Sequence, residues 1–323
     1  MKNSFTIRQL ESLTDVASFA DCGASARPFN MAEAICHNVE HFERVTRLAL
    51  IEYKLIAGDY FTLNALDYFS DKFANLLQAS GLQAGDTVAV LLPPCAALVI
   101  AHLGALKAAC TVLPLTINAP AELIAYGLNQ SAPKALVTSE TARLTYQALV
   151  DSRLPASAIF VATDDLNKQD FLAADRSFWL AVYDAPSTFA MVETQTTTAA
   201  LAFPLFDAGE FQMMTVAHGA LETALDLFHL HIESQPSSET TLYTTTGWAT
   251  FNDVMGWLYP ALACGCTLVA RIHVGHAHSK LIEGLRVTHL LVAADEAQSL
   301  AQELAASDAE LSDLRSLLTW PAR

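Results

Sequence analysis

The chain has 323 residues, 52% of them hydrophobic and 16% charged, where globular proteins carry about 25% charged residues. That excess of apolar over charged positions excludes intrinsic disorder, and the length supplies material for one large or two ordinary domains. Lys and Arg number 18 against 34 Asp and Glu, a formal net charge of −16, which disfavours nucleic acids and anionic lipid surfaces as general partners.

Residues 1–86 form a helical and hairpin lead-in. Residues 30–49 carry helical periodicity, with Asn30 as a cap candidate and Met31, Ile35, Val39 and Phe42 on one face. Leu50-Ile51-Glu52-Tyr53 and Asp59-Tyr60-Phe61-Thr62 flank Ala57-Gly58 as a small hairpin. Residues 64–80 are an amphipathic helix, apolar at Leu66, Phe69, Phe73, Leu76 and Leu77, with Gly81 just past its end. A βαβαβ series follows: strand 87–92, helix 96–109, strand 111–115, helix 120–130 and strand 135–138. Such crossovers build a right-handed, mostly parallel sheet. Then come a helix at 144–151, a strand at 157–162, the polar stretch 164–170 and a Thr-rich loop before the strand 199–203. A loop at 204–215 leads to a helix at 218–233 and a Thr-rich edge running into Gly247-Trp248. Helix 254–262, strand 267–272, helix 279–285, strand 288–293 and helix 296–305 complete a second α/β unit. The reading is an α/β fold with two lobes of mostly parallel sheet flanked by helices, residues 1–190 and 191–323, divided in the loop near 185–198.

Residues 87–118 hold only His102 and Lys107 as ionisable side chains, so a membrane span must be considered. Pro93-Pro94 and Pro114 interrupt the run, and short apolar segments around an Ala/Leu helix read as buried strands and their crossover. No membrane span is expected. The first eight residues, MKNSFTIR, lack the apolar stretch of a secretory signal, and six scattered cysteines do not make a disulfide scaffold. These features point to a cytoplasmic protein with reduced thiols.

Residues 60–66 (YFTLNAL), 73–77 (FANLL) and 81–93 (GLQAGDTVAVLLP), continued by Leu106-Lys107-Ala108-Ala109 and Leu113-Pro114-Leu115, resemble the opening of the AMP-forming acyl-CoA synthetases. Gly247-Trp248-Ala249-Thr250, with Pro260 and residues 264–269 (CGCTLV), is similar to a segment of the acetyl- and medium-chain branch of that adenylate-forming superfamily. Val287-Thr288-His289-Leu290 and residues 311–317 resemble later landmarks, so the likeness runs from about residue 30 to the end. The fold it implies is an incomplete adenylate-forming N-terminal domain. The reaction it implies joins a carboxylate to the AMP of ATP, releases pyrophosphate and passes the acyl group to a thiol.

That chemistry needs a Gly-, Ser/Thr- and Lys-rich loop whose amides and cation hold the phosphates. The resemblance places it between the strand ending near Phe203 and the helix near His218. Residues 204–215 read PLFDAGEFQMMT, with Asp207, Gly209, Glu210 and Thr215 at the degenerate phosphate-loop position and no lysine. A carboxylate about 4 Å from a phosphate charge costs about 4 kcal/mol at an effective dielectric near 20. No Lys or Arg stands between Arg176 and Arg271. The resemblance also implies an adenine-binding turn, a nucleotide- and metal-contacting motif, a ribose-binding Asp and a C-terminal catalytic Lys, all expected beyond Arg323. Catalytic residues are therefore expected to be none, and no ATP, Mg or CoA site is expected.

Gly247, Trp248 and Asn252 sit where the resemblance places the acyl pocket, but Trp248 and Trp257 read first as core aromatics. Cys264 and Cys266 with His273, His276 and His278 are the one metal-like cluster, but C-x-C is not the C-x2–4-C of structural zinc, and no metal is assigned. No G-x-S-x-G elbow supports a serine hydrolase. The expectation is a non-catalytic, acyl-CoA synthetase-like structural or regulatory subunit of a homo- or hetero-oligomer, with protein partners such as an active enzyme or acyl carrier protein. Alternatives are an acyl-, acyl-CoA- or carrier-protein-binding protein, or half of a split acid–thiol ligase.

Overall fold

The structure is a computed structural model that describes residues 5–10, 25–36, 47–53, 58–149, 158–163, 175–232, 236, 239–271 and 278–320. Its elements in chain order are β1 (Thr6–Gln9), α1 (Met31–Cys36), β2 (Leu48–Tyr53), β3 (Gly58–Thr62), α2 (Leu63–Ala79), β4 (Thr87–Leu91), α3 (Ala96–Lys107), β5 (Thr111–Leu115), α4 (Ala121–Ser131), β6 (Ala135–Ser139) and α5 (Glu140–Leu149). They continue as β7 (Ala158–Ala162), β8 (Asp175–Ser177), α6 (Phe178–Asp184), β9 (Ala199–Asp207), β10 (Glu210–Ala217), α7 (Ala220–His231) and β11 (Thr241–Thr244). A helix over 251–263, α8, follows, with a π-helical stretch at Val254–Leu258. Then come β12 (Thr267–Arg271), α9 (His278–Gly284), β13 (His289–Val292), α10 (Ala297–Ala306) and β14 (Ser316–Thr319).

Two compact units result, one from Met1–Ala20, His37–Leu63 and Leu221–Arg323, the other from Asp21–Cys36 and Asn64–Ala220. Each holds one seven-stranded sheet. This interleaved division differs from a single cut near residue 190, because β2 pairs with β12 and so draws the early hairpin into the sheet of the last hundred residues.

In the unit containing β4, the strand order is β10-β9-β5-β4-β6-β7-β8, parallel except for the β9–β10 pair. The expected βαβαβ series is its centre. Val88, Ala89, Val112, Leu113, Leu136 and Val137 are all fully buried, which is why these strands read as uninterrupted apolar runs. Every residue of α3 is buried and all but His102 and Lys107 are non-polar, so the helix runs through the unit's interior. The stretch tested as a membrane span is thus strand, helix and strand, and no helix among the described residues is long and apolar enough to cross a membrane. Burial pushes the His102 imidazole inside α3 down to about 3, so it is neutral at physiological pH.

Gly104 lets α3 approach α2 closely. A Cβ there would stand 2.8 Å from both the Phe73 Cδ1 and the Ser70 carbonyl oxygen. We expect Gly104→Ala to destabilise the chain by about 1–3 kcal/mol, against the roughly 1 kcal/mol that Ala gains in helix propensity. Urea unfolding would detect it, and an unchanged midpoint would contradict the packing described.

The other unit carries the order β1-β14-β13-β11-β12-β2-β3, parallel except for the β2–β3 hairpin. Val269, Val287, Leu290, Val292, Leu304 and Leu317 are fully buried in one apolar cluster. The strands β1, β8 and β14 and the helix α6 were not expected from the sequence, and the helix expected at 254–262 begins three residues earlier. The second half of the expected helix 30–49 (residues 37–46) and the polar stretch 164–170 lie outside the described residues, while Leu48 and Ala49 belong to β2.

Candidate functional site

At 204–215 the structure has no open loop. The chain stays in strand to Asp207, turns through Ala208 and Gly209, and returns as β10 to Ala217, with α7 starting at Ala220. Ala208 has φ of 49° and Gly209 of 88°, the two positive values that a two-residue primed turn demands. The register pairs Asp207 with Glu210, Phe206 with Phe211, Leu205 with Gln212 and Ala202 with Thr215. Phe206 and Phe211 lie 5.1 Å apart between ring centroids, and Tyr126 of α4 stacks on Phe211 at 5.4 Å. Cross-strand aromatic pairs of this kind fix hairpin register and hold the ladder up to its tip.

Asp207, Gly209, Glu210 and Thr215 are all exposed, and the two carboxylates face the solvent as a cross-strand pair. A phosphate cradle is a concave run of free amides. Here the segment's backbone is used in a strand ladder and its tip is convex.

His218 follows the hairpin and is buried. Its Nδ1 accepts the Met31 N–H at 2.9 Å, which leaves the ring hydrogen on Nε2. Burial pushes this imidazole down to about 4, so it is a neutral acceptor that secures the start of α1. Asn30 caps the same helix: its Oδ1 accepts the Ala32 N–H at 2.9 Å, and its Nδ2 donates to the carbonyls of Leu106 at 3.0 Å and Val192 at 3.3 Å.

A second polar cluster lies in the Gly247-Trp248 segment. Asp253 is buried near the start of α8. Its Oδ2 accepts the Thr250 hydroxyl at 2.6 Å and its Oδ1 the Thr246 hydroxyl at 2.9 Å, while its N–H donates to Thr250 Oγ1 at 3.2 Å. Thr244 and Thr246 hydroxyls meet at 2.7 Å, extending the chain of hydroxyls to the end of β11. Burial raises the Asp253 carboxyl to about 6, although the bonds from Thr250 and Thr246 oppose the rise. Sequence reasoning missed Asp253. Its signal is Thr250-x-x-Asp253, a capping-box spacing at the head of an otherwise apolar helix.

Of the acyl-pocket candidates, Trp248 is buried, Gly247 partly so, and Asn252 lies one residue before Asp253 among buried neighbours. Trp257 is also buried and meets Phe228 edge-on at 6.1 Å.

The cysteine and histidine candidates separate. Cys264 Sγ lies 3.6 Å from Nε2 of His229, a residue outside the predicted set, whereas His278 Nδ1 meets the Tyr243 hydroxyl at 3.1 Å. His273 and His276 lie outside the described residues. Burial pushes the Cys264 thiol up to about 12 and holds Cys266 well above its ordinary value. Among the described residues, no three His, Cys, Asp or Glu side chains are grouped to hold a metal ion.

The sequence profile of the AMP-binding enzyme family matches residues 42–203, half of the chain. The chain belongs to the AMP-binding enzyme family. Named proteins are similar to parts of the chain. Vanchrobactin synthetase VabF of Vibrio anguillarum is 32% identical over 146 residues, 44% of this chain and 5% of that protein. Long-chain fatty acid transport protein 1 of Mus musculus is 31% identical over 142 residues, 44% of this chain and 22% of that protein. This family member therefore spans under a quarter of the length of these relatives. The crystal structure of Brucella canis acyl-CoA synthetase superposes with a TM-score of 0.79 over 95% of this chain and 56% of that one, at 19% identity, so the two share a fold.

Proposed function

We propose that this member of the AMP-binding enzyme family is a non-catalytic, acyl-CoA synthetase-like protein that works as a structural or regulatory subunit of an oligomer or larger complex. The observation that carries the reading is the β9–β10 turn. Where the family resemblance expects a phosphate-holding loop, two residues close a hairpin, and the side chains flanking them are Asp207 and Glu210. A triphosphate brought to this tip meets two carboxylates and no neighbouring lysine or arginine of the segment, so the residues present do not fit ATP.

A protein-binding role is supported by apolar side chains left in solvent. Tyr68 on α2, with Leu180 and Tyr183 on α6, is substantially exposed beside Phe69, whose ring lies 5.7 Å from that of Tyr183. Exposed apolar patches of this kind mark interfaces in water-soluble folds.

The test is ATP–pyrophosphate exchange with the purified chain over a panel of short- to long-chain carboxylates, paired with calorimetry using ATP and Mg. The expected result is exchange at background and no saturable ATP binding. Exchange well above background, lost in Asp207→Ala or Glu210→Ala, would overturn the reading. Light scattering at micromolar concentration tests the assembly: an oligomer is expected, and a strictly monodisperse monomer would remove that part of the proposal.

A further inference from the structure

The outermost strand of the sheet that contains β14 is β1, and it is held in an unusual way for a segment more than 300 residues from its partner. Thr6, Ile7, Arg8 and Gln9 run parallel to Ser316, Leu317, Leu318 and Thr319. The Thr6 N–H donates to the Arg315 carbonyl at 3.3 Å and the Leu10 N–H to the Thr319 carbonyl at 2.7 Å. A parallel ladder uses alternate residues, so the Arg8 N–H points to the same edge and those of Ile7 and Gln9 point away.

The side chains contribute little along the strand itself. Thr6, Ile7 and Gln9 are exposed, Ile7 by 54%. Anchoring falls to the two ends, where Phe5 packs against the apolar cluster of that unit and Leu10 is buried, and to Arg8 Nη1, which donates to the His231 carbonyl at 3.2 Å. The segment is therefore attached by its backbone, by two apolar side chains five residues apart and by the Arg8 guanidinium, which is how a peptide docks onto an open sheet edge. The edge it covers belongs to a strand whose four residues are all buried, and such an edge left open pairs with other chains.

We propose that the outer edge of β14 is a strand-docking site for the segment of residues 5–10, and that β1 is an exchangeable guard strand whose place the same segment of a second copy takes. A second copy fits because exchange reproduces every hydrogen bond and both apolar anchors, and the residues between Leu10 and Ser25 reach roughly 50 Å when extended. The inference is independent of the reading of the β9–β10 turn, and its test does not involve nucleotide.

The experiment uses the full chain, Arg8→Pro, Ile7→Pro, and a fluorescent peptide of sequence FTIRQL. Arg8→Pro removes the central inward donor and frees the edge, whereas Ile7→Pro changes an outward N–H and leaves the ladder intact. Fluorescence anisotropy is expected to show saturable peptide binding to Arg8→Pro, at least tenfold tighter than to the unmodified chain or Ile7→Pro, in which the tethered segment competes at high effective concentration. In light scattering, the unmodified chain and Ile7→Pro are expected to share a dimer fraction that rises with concentration, and Arg8→Pro to have less of it. Circular dichroism establishes that all three chains are folded, and a scrambled peptide reports non-specific adhesion. Peptide binding that is absent from Arg8→Pro, equal in all three chains, or matched by the scrambled sequence overturns the docking site. Dimer fractions that are zero, or identical in Arg8→Pro and the unmodified chain, overturn the exchange with a second copy.

Discussion

Lys107→Met is expected to lower the unfolding free energy by about 2–4 kcal/mol, and lowering the pH through the carboxylate range is expected to restore part of the loss. Lys107 ends α3 and is 1% exposed. Its Nζ lies 2.5 Å from Asp67 Oδ1 and 2.6 Å from Asp71 Oδ1, and it donates to the Asp67 carbonyl at 3.0 Å. Asp67 and Asp71 stand four residues apart on α2, so one turn of that helix presents both carboxylates to the ammonium. Burial alone would drive Lys107 to lose its proton, but its anionic surroundings hold it above its ordinary value. Beside it the Cys36 thiol is pushed well up by burial, and Lys107 opposes that shift only in part. Removing one partner of a buried ion pair costs about 3–5 kcal/mol, because the other charge is left unpaired. The figure here is set lower because the carboxylate side chains are 34% and 25% exposed.

The pH dependence follows from Asp71, which burial raises from its ordinary value of 3.8 even with the lysine present. A carboxyl raised in the folded state binds its proton more readily there than in the unfolded chain, so the stability it contributes is lost as pH rises through the window between the two values. Without Lys107 that window widens upward. Urea unfolding of Lys107→Met at pH 5 and pH 8 is expected to show the larger deficit at pH 8, and the triple variant with Asp67→Asn and Asp71→Asn is expected to recover most of it. A deficit equal at both pH values would mean that lost packing of the lysine stem, not its charge, carries the effect.

Legibility in the sequence followed burial. The segment from β4 to β6 could be read because each strand is an apolar run set between Gly85-Asp86, Pro93-Pro94 and similar breaks, and the helices between them have the right length. The short strands β1 and β8, Thr-Ile-Arg-Gln and Asp-Arg-Ser, carry no such pattern, because edge strands bury little and owe their state to the neighbour they pair with. At 204–215, Pro204, Asp207 and Gly209 are residues that ordinarily mark a loop. The strand state was set instead by the aromatic pair Phe206–Phe211 and by the ability of Ala208-Gly209 to take positive φ. The units could not be read as linear blocks, since their membership depends on β2 meeting β12 across more than 200 residues. The pairing of Lys107 with Asp67 and Asp71 was hidden for a related reason: the lysine stands out in an apolar helix, but only the approach of α2 to α3 at Gly104 brings the two carboxylates to it.

Asp253 gives the opposite outcome to Lys107, since here removing a charge is expected to stabilise the fold at neutral pH. The folded carboxyl titrates near 6, against an ordinary 3.8. Below the lower value both states hold the proton and the group is silent. Between the two values the folded chain keeps a proton that the unfolded chain has released, so this group's contribution falls steadily as pH rises, and above about 6 the deficit is constant at roughly 3 kcal/mol. The hydroxyls of Thr246 and Thr250 already offset part of the cost of burying the charge. Asp253→Asn keeps the shape and abolishes the titration, at the cost of about 1 kcal/mol for amide hydrogens that face hydroxyl donors. The variant is therefore expected to match the unmodified chain near pH 4.5 and to exceed its stability by about 1–2 kcal/mol at pH 8, with a flatter profile between. Chemical unfolding at pH 4.5, 6 and 8 decides it, and parallel profiles for the two chains would show that Asp253 is not the group that titrates.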